Sequence, residues 1–296
     1  NYKDGSHITE QASYLVVESG EWEMSDGTRF SAGTTTTDKL TSAGFETISF
    51  DNSFSDTPSL LTQVQTYNGG DWVTTRTKSI TSQSFNVAMQ EEEKLNGGAH
   101  ATETLGWFAI DSGTANDGDT ILEGGITGNS FNHVASAESF NASFTDTPAL
   151  IAKLGSYRGA DPASLRTTEI SSDEFKAFVA EEQSFDGELS HITESINFLA
   201  MDSSSGSLDG IEYSATTSTL GEYGTISLDH NWQTVSFNNS YTNPVVIVSD
   251  PSFNGGDPGN IRIRNVGTSS FDLKFQEPNY KDGSHITEQA SYLVVE

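Results

Sequence analysis

Apolar residues alternate with polar ones over short stretches of the chain, and the same alternation occurs three times. A period of two places every second side chain on one face of a β-strand, whereas an amphipathic helix needs a period of about 3.6 residues. Glycine-rich turns at 68–71, 158–161 and 254–260 bound these stretches. The alternating sets are Phe85, Val87 and Met89; Phe175, Ala177 and Val179; and Phe271, Leu273 and Phe275. The pattern therefore predicts an all-β fold of short antiparallel strands.

The ends of the chain carry one identical segment. The first 18 residues, NYKDGSHITEQASYLVVE, recur without change at 279–296, so that residue 1 corresponds to residue 279 and the period is 278 residues. Two interpretations remain open. The chain is one period of a longer tandem array, or its leading segment completes a domain of a neighbouring molecule by strand addition.

Three diverged copies of one unit lie inside this period. A His-x-Thr-Glu motif occurs near the end of each copy, beginning at His100, His191 and His285. An aromatic residue follows each histidine by seven positions, and a Phe-x₃-aromatic motif followed by Pro begins at Phe50, Phe140 and Phe237. We expect three tandem antiparallel β-sandwich modules at 19–111, 112–202 and 203–296, and we expect residues 1–18 to be the closing strand of a preceding repeat.

From the Phe-x₃-aromatic motif onward, each copy resembles the H-type lectin domain of snail agglutinins and discoidin. The shared features are this motif, an Arg nine residues before a Phe, and a closing strand with an aromatic residue, aliphatic residues and an acid. The resemblance implies a six-stranded sandwich that forms trimers and binds N-acetylgalactosamine-type sugars near subunit boundaries. Three copies in one chain then imply a covalent pseudo-trimer. Where that family packs an aromatic residue and a His on the sugar, this chain has Glu92 and Glu93, Glu182 and Gln183, and Pro278 and Asn279.

The net charge of the chain limits the kinds of partner that are expected. The chain has 42 acidic and 14 basic residues, a formal net charge of −28, and no cysteine. Binding to nucleic acid or anionic lipid depends on Lys and Arg, so neither is an expected partner. No apolar run is long enough to insert into a membrane. We expect an extracellular or cell-surface protein, given as a mature segment or fragment because it begins without Met.

The candidate site residues recur with the repeats. Each glycine-rich turn contains an acid, and an Arg follows that acid by five residues. The candidates for ligand binding are Asp71, Trp72, Arg76, Glu92, Asp161, Arg166, Glu182, Asp257 and Arg262. A structural interpretation competes with binding, in which each Arg forms an exposed pair with a nearby Glu, the acids close the turns, and Trp72 packs under its loop.

Metal binding and catalysis are separate questions. Oxygen ligands in an acidic chain suit Ca²⁺, and the candidate ligands are Glu91, Glu181 and Glu277. The His and Glu of His-x-Thr-Glu would face opposite sides of one strand, so we expect this motif to be structural. No residue is expected to be catalytic, because every candidate acid, base or histidine recurs at the repeat spacing, and an active site usually needs one asymmetric pocket.

These features favour a non-enzymatic extracellular tandem-repeat protein that self-associates into a fibre, stalk or surface adhesin. The alternative is a multivalent carbohydrate-binding lectin of the H-type-like class, weak at each site and strong through many modules.

Overall fold

The fold is entirely β in the residues that the structure describes. The computed structural model describes residues 10–117, 120–202, 205–212, 217–278 and 288–295. These ranges contain 22 strands and no helix. Within them there is accordingly no helix long and apolar enough to cross a membrane. The predicted all-β fold class is confirmed, and the antiparallel sheets are consistent with β-sandwich modules.

The strands follow the sequence repeats in order. The leading strand is β1 (Glu10–Glu18). The first repeat, residues 19–111, contains β2 (Gly20–Glu23), β3 (Arg29–Thr37), β4 (Glu46–Ser49), β5 (Ser59–Val64), β6 (Val73–Lys78), β7 (Ser84–Glu91) and β8 (Glu103–Ile110). The second, residues 112–202, contains β9 (Gly113–Asp117), β10 (Thr120–Ile126), β11 (Ser136–Ser139), β12 (Ala149–Leu154), β13 (Ala163–Ile170), β14 (Glu174–Glu181) and β15 (Ile196–Met201). The third, residues 203–296, contains β16 (Gly206–Glu212), β17 (Thr217–Leu228), β18 (Gln233–Ser236), β19 (Pro244–Val248), β20 (Asn260–Arg264), β21 (Ser270–Gln276) and β22 (Glu288–Val295).

Each of the first two repeats pairs its strands in the same way. In the first, β8 lies between β3 and β5, and β7 lies between β4 and β6. In the second, β15 lies between β10 and β12, and β14 lies between β11 and β13. The predicted boundaries at 111 and 202 fall in the connections between β8 and β9 and between β15 and β16.

The cores of the first and second repeats each lie between the two sheets of that repeat. In the first repeat Phe85 and Val87 of β7 pack in one cluster with Leu60 of β5 and Leu105 of β8. All four side chains are at most 1% exposed. The alternation that predicted β7 is therefore confirmed, since its apolar face is the one that packs against the second sheet.

The third repeat takes its closing strand from the beginning of the chain. Residues Tyr14–Glu18 of β1 pair with β19, and Glu10–Val17 pair with β17. This position between β17 and β19, here called the closing position, corresponds to those of β8 and β15. We expected residues 1–18 to close a preceding repeat. In the structure residues 10–18 pair within this chain, while residues 1–9 lie outside the described ranges.

The three repeats meet side by side. The closing strand of one repeat contacts the fourth strand of another in each case: β15 contacts β5, β8 contacts β19, and β1 contacts β12. At the centre the buried ammonium of Lys153 donates to Asp250 Oδ1 of the third repeat (2.5 Å) and to Gln63 Oε1 of the first (3.3 Å). One second-repeat lysine therefore joins all three repeats.

Candidate functional site

Three arginines at corresponding positions form the buried contacts between repeats. Arg76 lies on β6, Arg166 on β13 and Arg262 on β20, and each is at most 1% exposed. Arg76 Nη2 donates to Glu194 Oε1 of the second repeat (2.8 Å). Arg166 Nη2 donates to the Ser252 carbonyl of the third (2.6 Å), and Arg262 Nη2 donates to Glu103 Oε1 of the first (3.3 Å). The contacts therefore run from each repeat to the next and return to the first.

This arrangement corrects the expected exposed Arg–Glu pair. Arg76 and Arg262 do not pair with a glutamate of their own repeat. Each pairs with the Glu of His-x-Thr-Glu in the next repeat. Both ion pairs have side chains with 0% exposure. A buried ion pair must be hydrogen-bonded on all sides to offset the loss of hydration, so the geometry around it decides its contribution.

The glycine-rich turn supplies those hydrogen bonds. The Glu103 carboxylate accepts from the backbone amides of Asn68 and Gly69 (3.0 and 2.9 Å) and from Thr66 Oγ1 (2.5 Å). In the second repeat Glu194 accepts from the amides of Arg158 and Gly159 (2.9 and 3.0 Å). Burial raises the pKa of Glu103, but the hydrogen bonds from His100 and from this turn outweigh it and hold the pKa at about 2.

The glycine of the turn is needed for close approach to the histidine. A Cβ atom on Gly69 would lie 2.6 Å from the His100 ring, and one on Gly159 would lie 2.5 Å from the His191 ring. The glycine-rich turns thus wrap a buried His–Glu pair. The default interpretation of the turns, as hairpin tips closed by an acid, misses this contact.

The histidine joins two carboxylates. His191 Nδ1 lies 2.6 Å from Glu181 Oε1, and its Nε2 lies 3.3 Å from Glu194 Oε1. His100 contacts Glu91 and Glu103 in the same way. We expected His and Glu to face opposite sides of a strand, and this is wrong because β8 begins only at Glu103, leaving His100 in the preceding loop.

The charge of His100 follows from these contacts. Burial lowers the pKa of His100, but the hydrogen bonds and charges of Glu103 and Glu91 outweigh it and raise the pKa to about 9. Both ring nitrogens then carry protons at neutral pH, as their two carboxylate neighbours require. The resulting buried chain runs Glu91–His100–Glu103–Arg262, and the second repeat has Glu181–His191–Glu194–Arg76.

This protonation bears on the predicted metal ligands. Asp71, Glu91 and His100 offer ligand atoms that lie within 4.8 Å of one another. In the structure His100 and Glu91 contact each other, so at neutral pH the imidazolium is an ion-pair partner of the Glu91 carboxylate. Glu181 has the equivalent His191 contact, and Glu277 is buried. His285, the third histidine, lies outside the described residues.

The other predicted ligand-binding residues differ in how far they are exposed to solvent. Trp72, Glu92 and Glu182 are 1%, 4% and 3% exposed, so Trp72 packs inside the fold instead of presenting a face to a sugar. Glu182 accepts from the Glu93 amide of the first repeat (2.6 Å). Asp161 is exposed, whereas Asp71 and Asp257 are half-buried.

Two of the predicted acids meet predicted arginines through their backbone carbonyls. Arg262 Nη1 donates to the Asp71 carbonyl (2.6 Å), and Arg166 Nη1 donates to the Asp257 carbonyl (3.1 Å). In the sequence each Asp lies five residues before the Arg of its own repeat. The structure brings them together across repeats.

A second set of buried carboxylates was missed in the sequence. Glu123 is 1% exposed and accepts from the Asn141 and Ala142 amides (both 2.7 Å), and Glu222, 2% exposed, accepts from the Asn238 amide (2.7 Å). Asn141 and Asn238 follow corresponding phenylalanines, which is a visible signal. The glutamates lie 18 and 16 residues upstream of them, so no constant spacing reveals the pair.

An open groove lies between the second and third repeats. It has a volume of about 220 Å³ and is lined by His133, Phe178, Glu181, Phe253 and Pro258 among others. The ring of Phe253 is 42% exposed and meets Phe178 edge-on at 4.9 Å. A partly exposed aromatic ring beside polar groups is a surface on which a sugar ring can pack.

Comparison with known proteins relates the chain to a large protein. No protein-family model matches the chain, and no solved structure matches it. The chain is similar to halomucin of Haloquadratum walsbyi, with 25% identity over 294 residues. This alignment covers 92% of the present chain and 3% of halomucin, so the chain spans a small part of that protein's length.

Proposed function

We propose that this chain is a non-enzymatic structural unit of an extracellular tandem-repeat protein, which self-associates into a fibre, stalk or surface adhesin. The similarity to halomucin is compatible with an extracellular structural or surface protein. The observation that carries the proposal is the set of three buried arginines, each reaching from one repeat into the next. Such a closed set of contacts makes one rigid unit from three weakly similar repeats, as a structural array requires.

A non-enzymatic role agrees with the chemistry of the buried chains. Their histidines and glutamates face one another, and each of these side chains is at most 6% exposed. They hold charge inside the fold, and a reacting group would need contact with a substrate.

The test uses cells of the source organism and an antibody raised against this chain. Intact cells should be labelled as strongly as permeabilised cells, and labelled material in electron micrographs should show threefold units in a regular row. Labelling that requires permeabilisation would contradict a surface location. Isolated particles, or beads without threefold form, would contradict the array.

Carbohydrate binding is a second candidate, favoured by the groove at Phe253. H-type-like domains would place sugars at boundaries between units, and this groove lies at such a boundary. A glycan array probed with the full chain should retain one sugar class, and Phe253→Ala should reduce retention at least tenfold. Ile192→Ala is the control, because Ile192 is also exposed, at 51%, and is not among the groove residues. Equal retention by both variants, or none by the unaltered chain, would remove this candidate.

A further inference from the structure

Two identical segments of the chain pair with the same strand in the same register. Glu10 and Glu288 both lie opposite Leu228 of β17, and Val17 and Val295 both lie opposite Gly221. One edge of a strand offers each backbone N–H and C=O group to a single neighbour. The closing position of the third repeat therefore accepts either β1 or β22, but only one of them at a time.

The leading strand has the more complete set of partners. Besides β17 it pairs with β19, from Tyr14 opposite Val248 to Glu18 opposite Pro244. Leu15, Val16 and Val17 are 0% exposed. β1 also contacts β12, in the way that β8 contacts β19 and β15 contacts β5.

The chain path supports the same assignment. Only Ser19 separates β1 from β2, and only Asp111 and Ser112 separate β8 from β9. A closing strand thus leads directly into the first strand of the following repeat. With β1 in the closing position, the third repeat leads back into the first, and the unit is closed.

We propose that the leading segment closes its own unit, and that the trailing segment at 288–295 is a donor strand for the closing position of a second copy of this chain. This inference rests on the proposed structural array and names the contact that joins its units. A closing position without its strand exposes two unpaired edges and an apolar core. A strand of identical sequence from a second copy pairs with both edges and covers the core, as in strand addition and domain swapping.

Disulfide trapping identifies the strand that closes the unit, because the chain has no cysteine of its own. Val16 lies opposite Val246 of β19. The hydrogen bond from the Ser249 amide to the Ser13 carbonyl makes the Val16–Val246 pair a non-hydrogen-bonded one. Cα atoms in such pairs are about 4.5 Å apart, within the range of a disulfide. In full-length chains V16C/V246C should form an intramolecular disulfide at least tenfold more completely than V294C/V246C. The reverse ratio would overturn the assignment.

Exchange between copies is tested with two full-length chains. The acceptor carries V16P, which disables the leading strand, together with V246C, and the donor carries V294C. We expect a disulfide-linked dimer from this pair, and at least tenfold less from an acceptor with V246C alone. The acceptor V16P/V294P/V246C tests whether the trailing strand keeps the V16P/V246C chain folded. With both strands disabled, this triple variant should lose its β-sheet circular dichroism signal.

Each result has a definite meaning. If V16P alone unfolds as completely as V16P/V294P, the trailing segment does not fill the closing position and the proposal fails. If V16P stays folded but gives no dimer, exchange between copies is wrong. Neither result affects surface labelling or the threefold form of the unit, so failure here is distinguishable from failure of the proposed function.

Discussion

At the scale of single residues, Glu194 combines more partners than any neighbour in its buried chain. Its carboxylate accepts from Arg76 of the first repeat, from two backbone amides and from Ser156, and it contacts His191. Glu194→Gln keeps the shape but removes the charge that balances Arg76. We expect a loss of about 3–5 kcal/mol in the free energy of unfolding, measured by urea denaturation, since breaking a buried pair leaves a charge uncompensated.

The matched control is an exposed ion pair. Glu169 contacts Lys176 at 2.5 Å, but its side chain is 66% exposed. Solvent screens such a pair, so Glu169→Gln should change the free energy of unfolding by less than about 1 kcal/mol. Similar losses for both substitutions would show that burial of the Arg76–Glu194 pair has no special weight.

The pKa of His100 predicts how stability depends on pH. The folded pKa is about 9, and the ordinary value is 6.5. The stabilisation from the imidazolium is therefore complete below pH 6.5 and disappears as the pH rises through 9. In thermal denaturation from pH 6 to 10, His100→Gln should lower the melting temperature at pH 6. It should also make the fall in melting temperature between pH 6 and pH 10 smaller. His133→Gln, at an exposed histidine, should leave the profile as it is; a decline unaltered by His100→Gln would exclude His100 as its source.

At the scale of strands, each closing strand carries an aromatic residue opposite a glycine. Gly33 lies opposite Trp107, Gly125 opposite Phe198, and Gly224 opposite Tyr14. A Cβ on Gly125 would lie 2.0 Å from the Phe198 ring. Gly125→Ala should therefore destabilise the protein by about 1–3 kcal/mol, as overpacking does.

Gly128→Ala is the control for this prediction. A Cβ at Gly128 meets nothing within 4 Å, so we expect a change of about 0.5 kcal/mol or less. Chemical denaturation of the two variants measures the difference. Equal stability would mean that the Phe198 ring moves aside without cost.

The sequence predicts strands better than it predicts the site. The alternation around Phe85 and Phe175 identifies β7 and β14, because a period of two is a local property of a half-buried strand. The partner of Arg76 is 118 residues away, and no local rule connects it to Glu194. The face of His100 was misjudged for a related reason, since the position at which a strand begins depends on its partner strand.

At the scale of the whole molecule, closure distributes the buried charges among repeats. Arg76 and Arg262 each neutralise a glutamate of another repeat, and Lys153 neutralises Asp250 of the third. Loss of one repeat would leave unpaired charges in the interior of the next, which favours folding of the three as one cooperative unit. The repeats are thus coupled by electrostatics as well as by packing.

The net charge of −28 predicts a strong dependence on salt. Repulsion among excess carboxylates opposes the compact state, and raising NaCl from 0.01 to 1 M shortens the screening length from about 30 Å to about 3 Å. We expect the melting temperature to rise over this range. Because the Glu91 and Glu181 carboxylates already contact buried histidines, CaCl₂ at matched ionic strength should raise the melting temperature no further, and EDTA should not lower it. If Ca²⁺ raises the melting temperature further and EDTA reverses that rise, the chain binds calcium. Glu91, Glu181 and Glu277 would then be the first residues to replace by glutamine.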